Sequence, residues 1–312
     1  MFAGAMLVAL MVEATIGWPD AIHRRIGHPV TWIGVLIAVC DARLNRIDDT
    51  DFRRCVMGVA VALGIMLVVG VVAILVVWLM PRGWFGSVLI GVLAWPLVAT
   101  RSLYDHVRSV ARPLEQGDLG GARAAVAMIV GRDVARLDAA GVARAALESL
   151  AESASDGVVA PLFWGVIFGL PGIAVYKAVN TMDSMIGHLT PRHAAFGWAA
   201  ARIDDMANLI PARMTGLLIA AVSKTCRSSL TCMWRDARKH RSPNAGWPEA
   251  ALAGALDIRL SGPRVYDDHM SDDAWVNVGA PDPAPTDVGR GLTLYLEAML
   301  VLVVALLLAS VT

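Results

Sequence analysis

Apolar positions run unbroken from Val56 to Met80, 25 residues without a charge, against the roughly 20 needed to cross a hydrocarbon core. Gly83 to Thr100 adds 18 uncharged residues between Arg82 and Arg101, and Gly291 to Thr312 is apolar apart from Glu297. Both predict further spans. The first 17 residues are apolar except for Glu13 and lack the basic n-region and small-residue cleavage site of a secretory signal, so they predict a retained helix. Two other stretches contain helix breakers: Gly157 to Tyr176, with Pro161 and Pro171-Gly172, and Met206 to Ser223, with Pro211 and Arg213. Breakers at membrane depth are tolerated where the backbone is buried in protein or lines a cavity, so these predict broken or re-entrant helices. Val30 to Cys40 is too short to cross and predicts an interfacial or buried segment.

Composition agrees with this pattern. Hydrophobic residues make up 56% of 312 positions, mean hydropathy is +0.58 and only 17% are charged, which excludes an ordinary soluble domain. The expected fold is all-α. It is a polytopic integral membrane protein with about four transmembrane helices, broken or re-entrant segments and cytoplasmic helical loops, in one domain over residues 1–312. Asp41 to Cys55 carries four arginines and Lys224 to Arg241 six basic residues, whereas Pro81 to Gly83 carries one. By the positive-inside rule the loops 101–156 and 224–290 lie in the cytoplasm and the short turn lies outside. Net charge is zero, and the basic residues flank spans instead of forming a stripe with aromatics, so nucleic-acid binding has no support. Cys40, Cys55, Cys226 and Cys232 show no zinc-like spacing, and no P-loop or dinucleotide fingerprint occurs. Ser261 to Arg290, with four prolines and six aspartates, predicts an extended solvated loop. Its Asp267, Asp268, His269, Asp272 and Asp273 are a candidate metal group, with a mobile loop as the plainer reading.

Four polar clusters interrupt the apolar pattern. Glu148, Glu152 and Asp156 follow i, i+4, i+8 spacing and share one helical face. That face is either solvated, with an Arg144–Glu148 pair, or neutralised by a hard cation such as Mg²⁺ with its phosphate ligands. Lys177, Asn180 and Ser184 share a face beside Asp183 where a broken apolar stretch ends; a snorkelling lysine with helix caps is the simpler account. Arg202, Asp204, Asp205, Asn208 and Arg213 place adjacent acids before an apolar segment, where a helix N-terminus explains one acid better than two. The stretch Lys239-His240-Arg241-Ser242-Pro243-Asn244-Ala245-Gly246-Trp247-Pro248-Glu249 can present cations and backbone N–H groups to an anion, or be a juxtamembrane basic patch followed by a turn.

These clusters lie within longer motifs that occur in order: Gly131-Arg132-Asp133, Glu148-Ser149-Leu150-Ala151-Glu152, Asp156 to Phe163, Tyr176 to Met185, Phe196 to Arg202 followed by Asp204-Asp205, Asn208 and Pro211-Ala212-Arg213, then Lys239 to Glu249. With His28-Pro29-Val30 and Ile33-Gly34, the chain resembles the CobD/CbiB family of cobalamin biosynthesis over about Gly17 to Gly262. One departure is Ser153-Ala154-Ser155, where the family usually has Asn-Thr-Ser or similar; it leaves the carboxylates untouched. The resemblance implies an ATP-dependent amide ligase joining adenosylcobyric acid to (R)-1-amino-2-propanol or its O-phosphate, in the cell inner membrane, with Mg²⁺ and a site facing the cytoplasm. The resemblance does not assign roles to single residues; for that chemistry Glu148, Glu152, Asp183, Asp204 and Asp205 are the expected metal ligands, and Lys177 and Lys239 join Glu148, Glu152 and Asp183 as catalytic candidates. Lys177, Arg202, Arg213 and Lys239 would hold phosphates. Asn180, Arg202, Asn208, Arg213, His240 and Asn244 are the substrate-binding candidates. Partners are then the corrinoid, the amino alcohol and membrane lipid; a homo-oligomer or a soluble enzyme docking on Arg101–Asp156 is compatible with the chain. A cytoplasmic site requires Gly157 to Tyr176 to bend, returning the acids to that face. Two rival readings are an Mg²⁺-dependent intramembrane prenyltransferase using Asn180-x-x-Asp183 and Asp204-Asp205-x-x-Asn208, and a non-enzymatic transporter or signalling protein.

Overall fold

The computed structural model describes residues 2–131, 133–266, 269–271 and 273–311, with backbone alone at 20, 264–266 and 269–271. In chain order the helices are α1 (Phe2–Ile16), α2 (Asp20–Ile26), α3 (Pro29–Leu44), α4 (Asp51–Leu79), α5 (Trp84–Ala94), α6 (Thr100–Glu115), α7 (Leu119–Val126), α8 (Ala139–Ala154), α9 (Ala160–Ile186), α10 (Trp198–Ala207), α11 (Leu209–Val222), α12 (Cys226–Asp236), α13 (Gly246–Leu256) and α14 (Pro285–Val311). The strands are β1 (Leu260–Ser261), β2 (Arg264–Tyr266), β3 (His269–Ser271) and β4 (Trp275–Val276). The fold is all-α in class. Among the described residues four helical stretches, Asp51–Leu79, Trp84–Glu115, Ala139–Ile186 and Pro285–Val311, are long and apolar enough to cross a bilayer. Along α4, Leu67, Val72, Leu75, Trp78 and Leu79 are exposed, a continuous apolar face that suits lipid and not water.

The chain divides into two compact units. One comprises Met1–Ala99, Ala160–Asn208 and Leu306–Thr312; the other comprises Thr100–Val159 and Leu209–Ala305. In the first, Ile37, Val61, Ala62, Ile65, Ala178, Val179, Met182 and Phe196 form a buried core between α3, α4, α9 and α10. Gly58 lets α4 approach the Phe196 carbonyl so closely that a Cβ there would overlap it. In the second, α13 (Gly246–Leu256) is buried on nearly all sides, and its Ala and Gly residues let α12 pack close.

The expected break in Gly157–Tyr176 is present, but not at the prolines. The helix widens into a π turn at Ser155–Val159 and bends at Gly169, which takes φ +68°. Pro171 cannot donate to the carbonyl of Ile167 and its ring crowds it, so the distortion falls on the nearby residue that tolerates a left-handed backbone. Pro161 lies just past the π turn in the continuous helical stretch Ala139–Ile186 and cannot donate to a carbonyl of that turn. The second break falls at Asn208, the C-cap of α10 and the residue before α11. Val30–Cys40 lies within the longer helix α3, started by Pro29 and by the His28 ring, whose Nδ1 accepts from Val30 N at 3.2 Å.

The expectation of an extended solvated loop over Ser261–Arg290 is corrected. β1 pairs with β4, β2 pairs with β3, and α14 already begins at Pro285. Leu260 and Val276 face each other in the β1–β4 ladder and are fully buried in the core of the second unit. Two isolated apolar residues gave too short a pattern to reveal a strand pair.

A polar network in the first unit fixes the connection between α9 and α10. Arg54 on α4, its side chain only 6% exposed, donates to Asn45 Oδ1 at 3.0 Å, to Pro191 O at 3.3 Å and to Arg192 O. Asn45 in turn donates to Asp41 Oδ1 at 2.7 Å and to Arg192 O at 2.9 Å, and Arg192 pairs with Asp41 at 2.7 Å. The loop that leads from Asp183 to Asp204 is thus held by buried charge.

Candidate functional site

The first unit gathers the acids of two clusters. Along α10, Ala200, Asp204 and Asn208 follow i, i+4 spacing, so the face that buries Ala199 and Ala200 turns polar at its end. Asp204 and Asn208 are both buried. Tyr176 on α9 donates its hydroxyl to Asn208 Oδ1 at 2.9 Å, and Asn208 Nδ2 donates to Asp204 Oδ2 at 3.0 Å. Asp204 Oδ1 is buried without a hydrogen-bond partner of good geometry, and the Asn180 side chain is near enough to favour its ionised form. Burial first, then the negative charge of Asp183, push the Asp204 carboxyl up to about 7, with Asn208 and Asn180 opposing. Asp205 also lies above the usual carboxylate range through burial, partly offset by Arg202, with which it pairs at 3.0 Å.

On α9, Lys177 Nζ donates to Asn180 Oδ1 at 3.2 Å, which confirms the shared face read from spacing. The Asp183 carboxylate folds over Gly187, where any Cβ would collide with it. Asp183 needs a glycine four residues on, a signal visible in the sequence only once the direction of the side chain is known. Tyr176 was likewise missed as a site residue, because an aromatic inside an apolar run reads as core.

The carboxylates of the first cluster divide differently from the expected row. Glu148 is buried in the second unit, and its Oε1 accepts from Ser261 N at 2.7 Å. Ser261 has φ +61°, a conformation that costs a non-glycine residue on the order of 1 kcal/mol. Glu152 is exposed, and the π turn at Ser155–Val159 displaces Asp156 from the continuation of their face. Arg144 pairs with Asp282 and lies 4.7 Å over the Trp275 ring. Glu148 therefore anchors a strained strand end. We expect Glu148→Gln to leave stability within about 1 kcal/mol, since the amide oxygen still accepts. Glu148→Ala should cost about 1–3 kcal/mol through the abandoned Ser261 N–H, read by thermal unfolding in detergent. An alanine variant as stable as the parent would contradict this anchoring role.

The Lys239–Glu249 stretch forms an ordered loop leading into α13. The His240 Nδ1 accepts from Ser242 N at 3.0 Å, and Ser242 Oγ accepts from Asn244 N and Ala245 N at 3.2 Å each. Asn244 is buried and its Oδ1 accepts from Arg213 Nη1 at 2.8 Å. Behind the loop lies Asp236, fully buried, which takes Arg235 and Lys239 at 2.7 Å each and the N–H of Asn277 at 2.8 Å. These donors hold its carboxyl well below the usual carboxylate range. Asp236 was overlooked because it sits in a basic run. Of the acids in the 267–273 group, Asp273 pairs with Arg241 at 3.3 Å; Asp267, Asp268 and Asp272 lie outside the described residues, as do the His269 side chain and Arg132 of the Gly-Arg-Asp motif.

Among the described residues no three His, Cys, Asp or Glu side chains form a ready metal cage. A Mg²⁺ ion keeps several waters and takes one or two carboxylates plus substrate phosphates, so Asp183 and Asp205 fit it. The repulsion that lifts Asp204 is what such a cation would relieve.

The family model described as CobD/Cbib protein matches residues 6–295. The chain belongs to the CobD/CbiB family. Its CobD relatives include the "Cobalamin biosynthesis protein CobD" of Rhodobacter capsulatus, 59% identical over 299 residues, covering 96% of this chain and 94% of that one. Those of Sinorhizobium sp (45% identical over 312 residues, 95% and 94% covered) and Brucella suis biovar 1 (43% over 308, 94% and 92%) are similar to it along the same length. No solved structure matches this chain. CobD/CbiB membership places the chain in cobalamin biosynthesis, and the apolar helices make it a membrane protein.

Proposed function

We propose that the chain is an ATP-dependent amide ligase, joining the free propionate carboxyl of adenosylcobyric acid to (R)-1-amino-2-propanol or its O-phosphate. It would be a multi-pass inner-membrane protein whose site faces the cytoplasm. The observation that carries the reading is Asp204: a buried carboxylate, oriented by the Tyr176–Asn208 chain, with one oxygen unbonded and two more acids beside it. Buried charge without compensation is costly and marks functional sites.

A carboxylate is a poor acyl donor. Transfer of the γ-phosphoryl group of ATP to it gives an acyl phosphate and ADP; the amine then attacks the carbonyl and phosphate leaves. Mg²⁺, when bound, would neutralise phosphoryl oxygens from Asp183 and Asp205. With its carboxyl pushed up to about 7, Asp204 is partly ionised at neutral pH and can take the proton of the attacking amine at Oδ1. Asn208 holds that carboxylate in place through Oδ2. Arg202 fixes Asp205, and Lys177 positions Asn180.

One observation favours the prenyltransferase alternative: an apolar cleft of about 540 Å³ is lined by Trp164, Phe168, Pro171, Ile203, Met206 and Tyr176, the last of which reaches Asp204 through Asn208. The test is conversion of adenosylcobyric acid by the purified protein with ATP, offering the amine and its phosphate separately and weighing the product by mass spectrometry. Product heavier by the amide-linked acceptor, with equimolar ADP, is expected. No product from folded protein, together with turnover of an isoprenoid diphosphate without ATP, would overturn the ligase.

A further inference from the structure

Five basic side chains surround the first turn of α13: Arg213, Arg238, Lys239, His240 and Arg241. Three of them face acids. Lys239 pairs with Asp236 at 2.7 Å, His240 Nε2 lies 3.7 Å from Glu249 Oε1, and Arg241 pairs with Asp273 at 3.3 Å. Arg213 and Arg238 have no carboxylate partner among the described residues.

Arg213 is nonetheless fixed, and by neutral groups. It donates to Asn244 Oδ1 at 2.8 Å and its guanidinium carbon sits 4.4 Å over the Trp247 ring. Trp247 is itself held, by a bond from Nε1 to Pro243 O at 3.1 Å and by an edge contact with Trp234. Arg238 lies in the 3-10 turn Ala237–Lys239, pressed against the start of α13 where Gly246 leaves no room for a Cβ beside Ala237 O. It is within electrostatic reach of Arg213. A partly buried arginine beside a second, exposed arginine, with only an amide and an indole for company, leaves two like charges unanswered on one surface. Arg213 has five N–H donors, and Asn244 engages one nitrogen of its fork.

We propose that Arg213 and Arg238 together form a binding site for a phosphate monoester or polyphosphate group. The site rests on the ligase reading, in which both ATP and the acceptor can bring a phosphate, and it shifts that role away from Lys239, whose charge Asp236 already answers. Seated over Trp247 and tied to Asn244, the guanidinium is held in place with donors left for bidentate recognition, which a lysine would not reproduce.

The test uses the full chain in detergent, with inorganic phosphate as the probe, titrated by calorimetry at low salt. Arg238→Gln, an exposed position, should weaken phosphate binding roughly tenfold, Arg213→Gln at least as much, and Arg241→Gln less than twofold. Binding by Arg238→Gln equal to wild type, or equal weakening by Arg241→Gln, would overturn the site, whatever becomes of Arg213→Gln, which thermal unfolding monitors for folding. Competition names the source. Displacement of phosphate by a non-hydrolysable ATP analogue makes it a nucleotide site, displacement by aminopropanol O-phosphate makes it an acceptor site, and displacement by neither overturns the proposal. Because binding is read without turnover, two-arginine phosphate binding in a chain that forms no amide would sink the ligase and leave the site standing. Amide formation by Arg238→Gln with unchanged KM for both phosphate-bearing substrates would do the reverse.

Discussion

Arg54→Ala is expected to lower the stability of the protein by about 3–5 kcal/mol, the usual consequence of removing one partner from a buried charged network. The deletion strands Asn45 Oδ1 and the Pro191 carbonyl, and takes one of two donors from the Arg192 carbonyl, which keeps Asn45 Nδ2. Each abandoned acceptor costs about 1–3 kcal/mol when it stays dry. For a chain of this size the apparent midpoint should fall by about 10 °C. Arg54→Lys should recover little, since a point charge with a flexible stem cannot serve three acceptors arranged for a planar fork. Tryptophan fluorescence during heating in detergent reads both variants. An alanine variant that unfolds with the wild type would show that Asp41, Asn45 and Arg192 hold the 187–197 connection unaided.

Asp204→Asn should separate function from stability. The amide keeps the bond to Asn208 but cannot take a proton, so amide formation should fall about 10²–10⁴-fold. Stability should move the other way. The Asp204 carboxyl, raised by burial and by Asp183, keeps its proton up to about pH 7 when folded and loses it near pH 4 when unfolded. The folded state therefore holds the extra proton between those values, and wild-type stability declines as pH rises through that window. Asparagine does not titrate. In Mg²⁺-free buffer the variant and wild type should match near pH 4, diverge in favour of the variant up to about pH 7, and keep a constant gap above it. A variant that is less stable than wild type at pH 8, or that retains full activity, would remove Asp204 from the site.

Much of this could be read from the residues, and the failures have physical causes. The unbroken apolar run of α4 and the run of α14, interrupted only by Glu297, announce spans by themselves, because water offers no competing reason for stretches this apolar. Lys177 and Asn180 were placed together by helical spacing and do touch. Spacing reveals a face but not what lies opposite it, and that is why Glu148 looked like one of a row of metal ligands. Its partner, Ser261 N, is 113 residues away in sequence, beyond any local pattern. Asp236 was hidden for the same reason: its composition reads basic, yet the chain folds three donors onto the single acid. The break in α9 was announced by Pro171 but expressed at Gly169, since the strain moves to whichever neighbour bends most cheaply.

The most direct measurement of the central claim follows the oxygen that the carboxylate must lose. Adenosylcobyric acid carrying ¹⁸O in its free propionate carboxyl is converted with ATP and the amino alcohol, and the inorganic phosphate is analysed by mass spectrometry. The account predicts one ¹⁸O in phosphate for each amide formed, with ADP as the other product. Label appearing in AMP or in water, with none in phosphate, would contradict it.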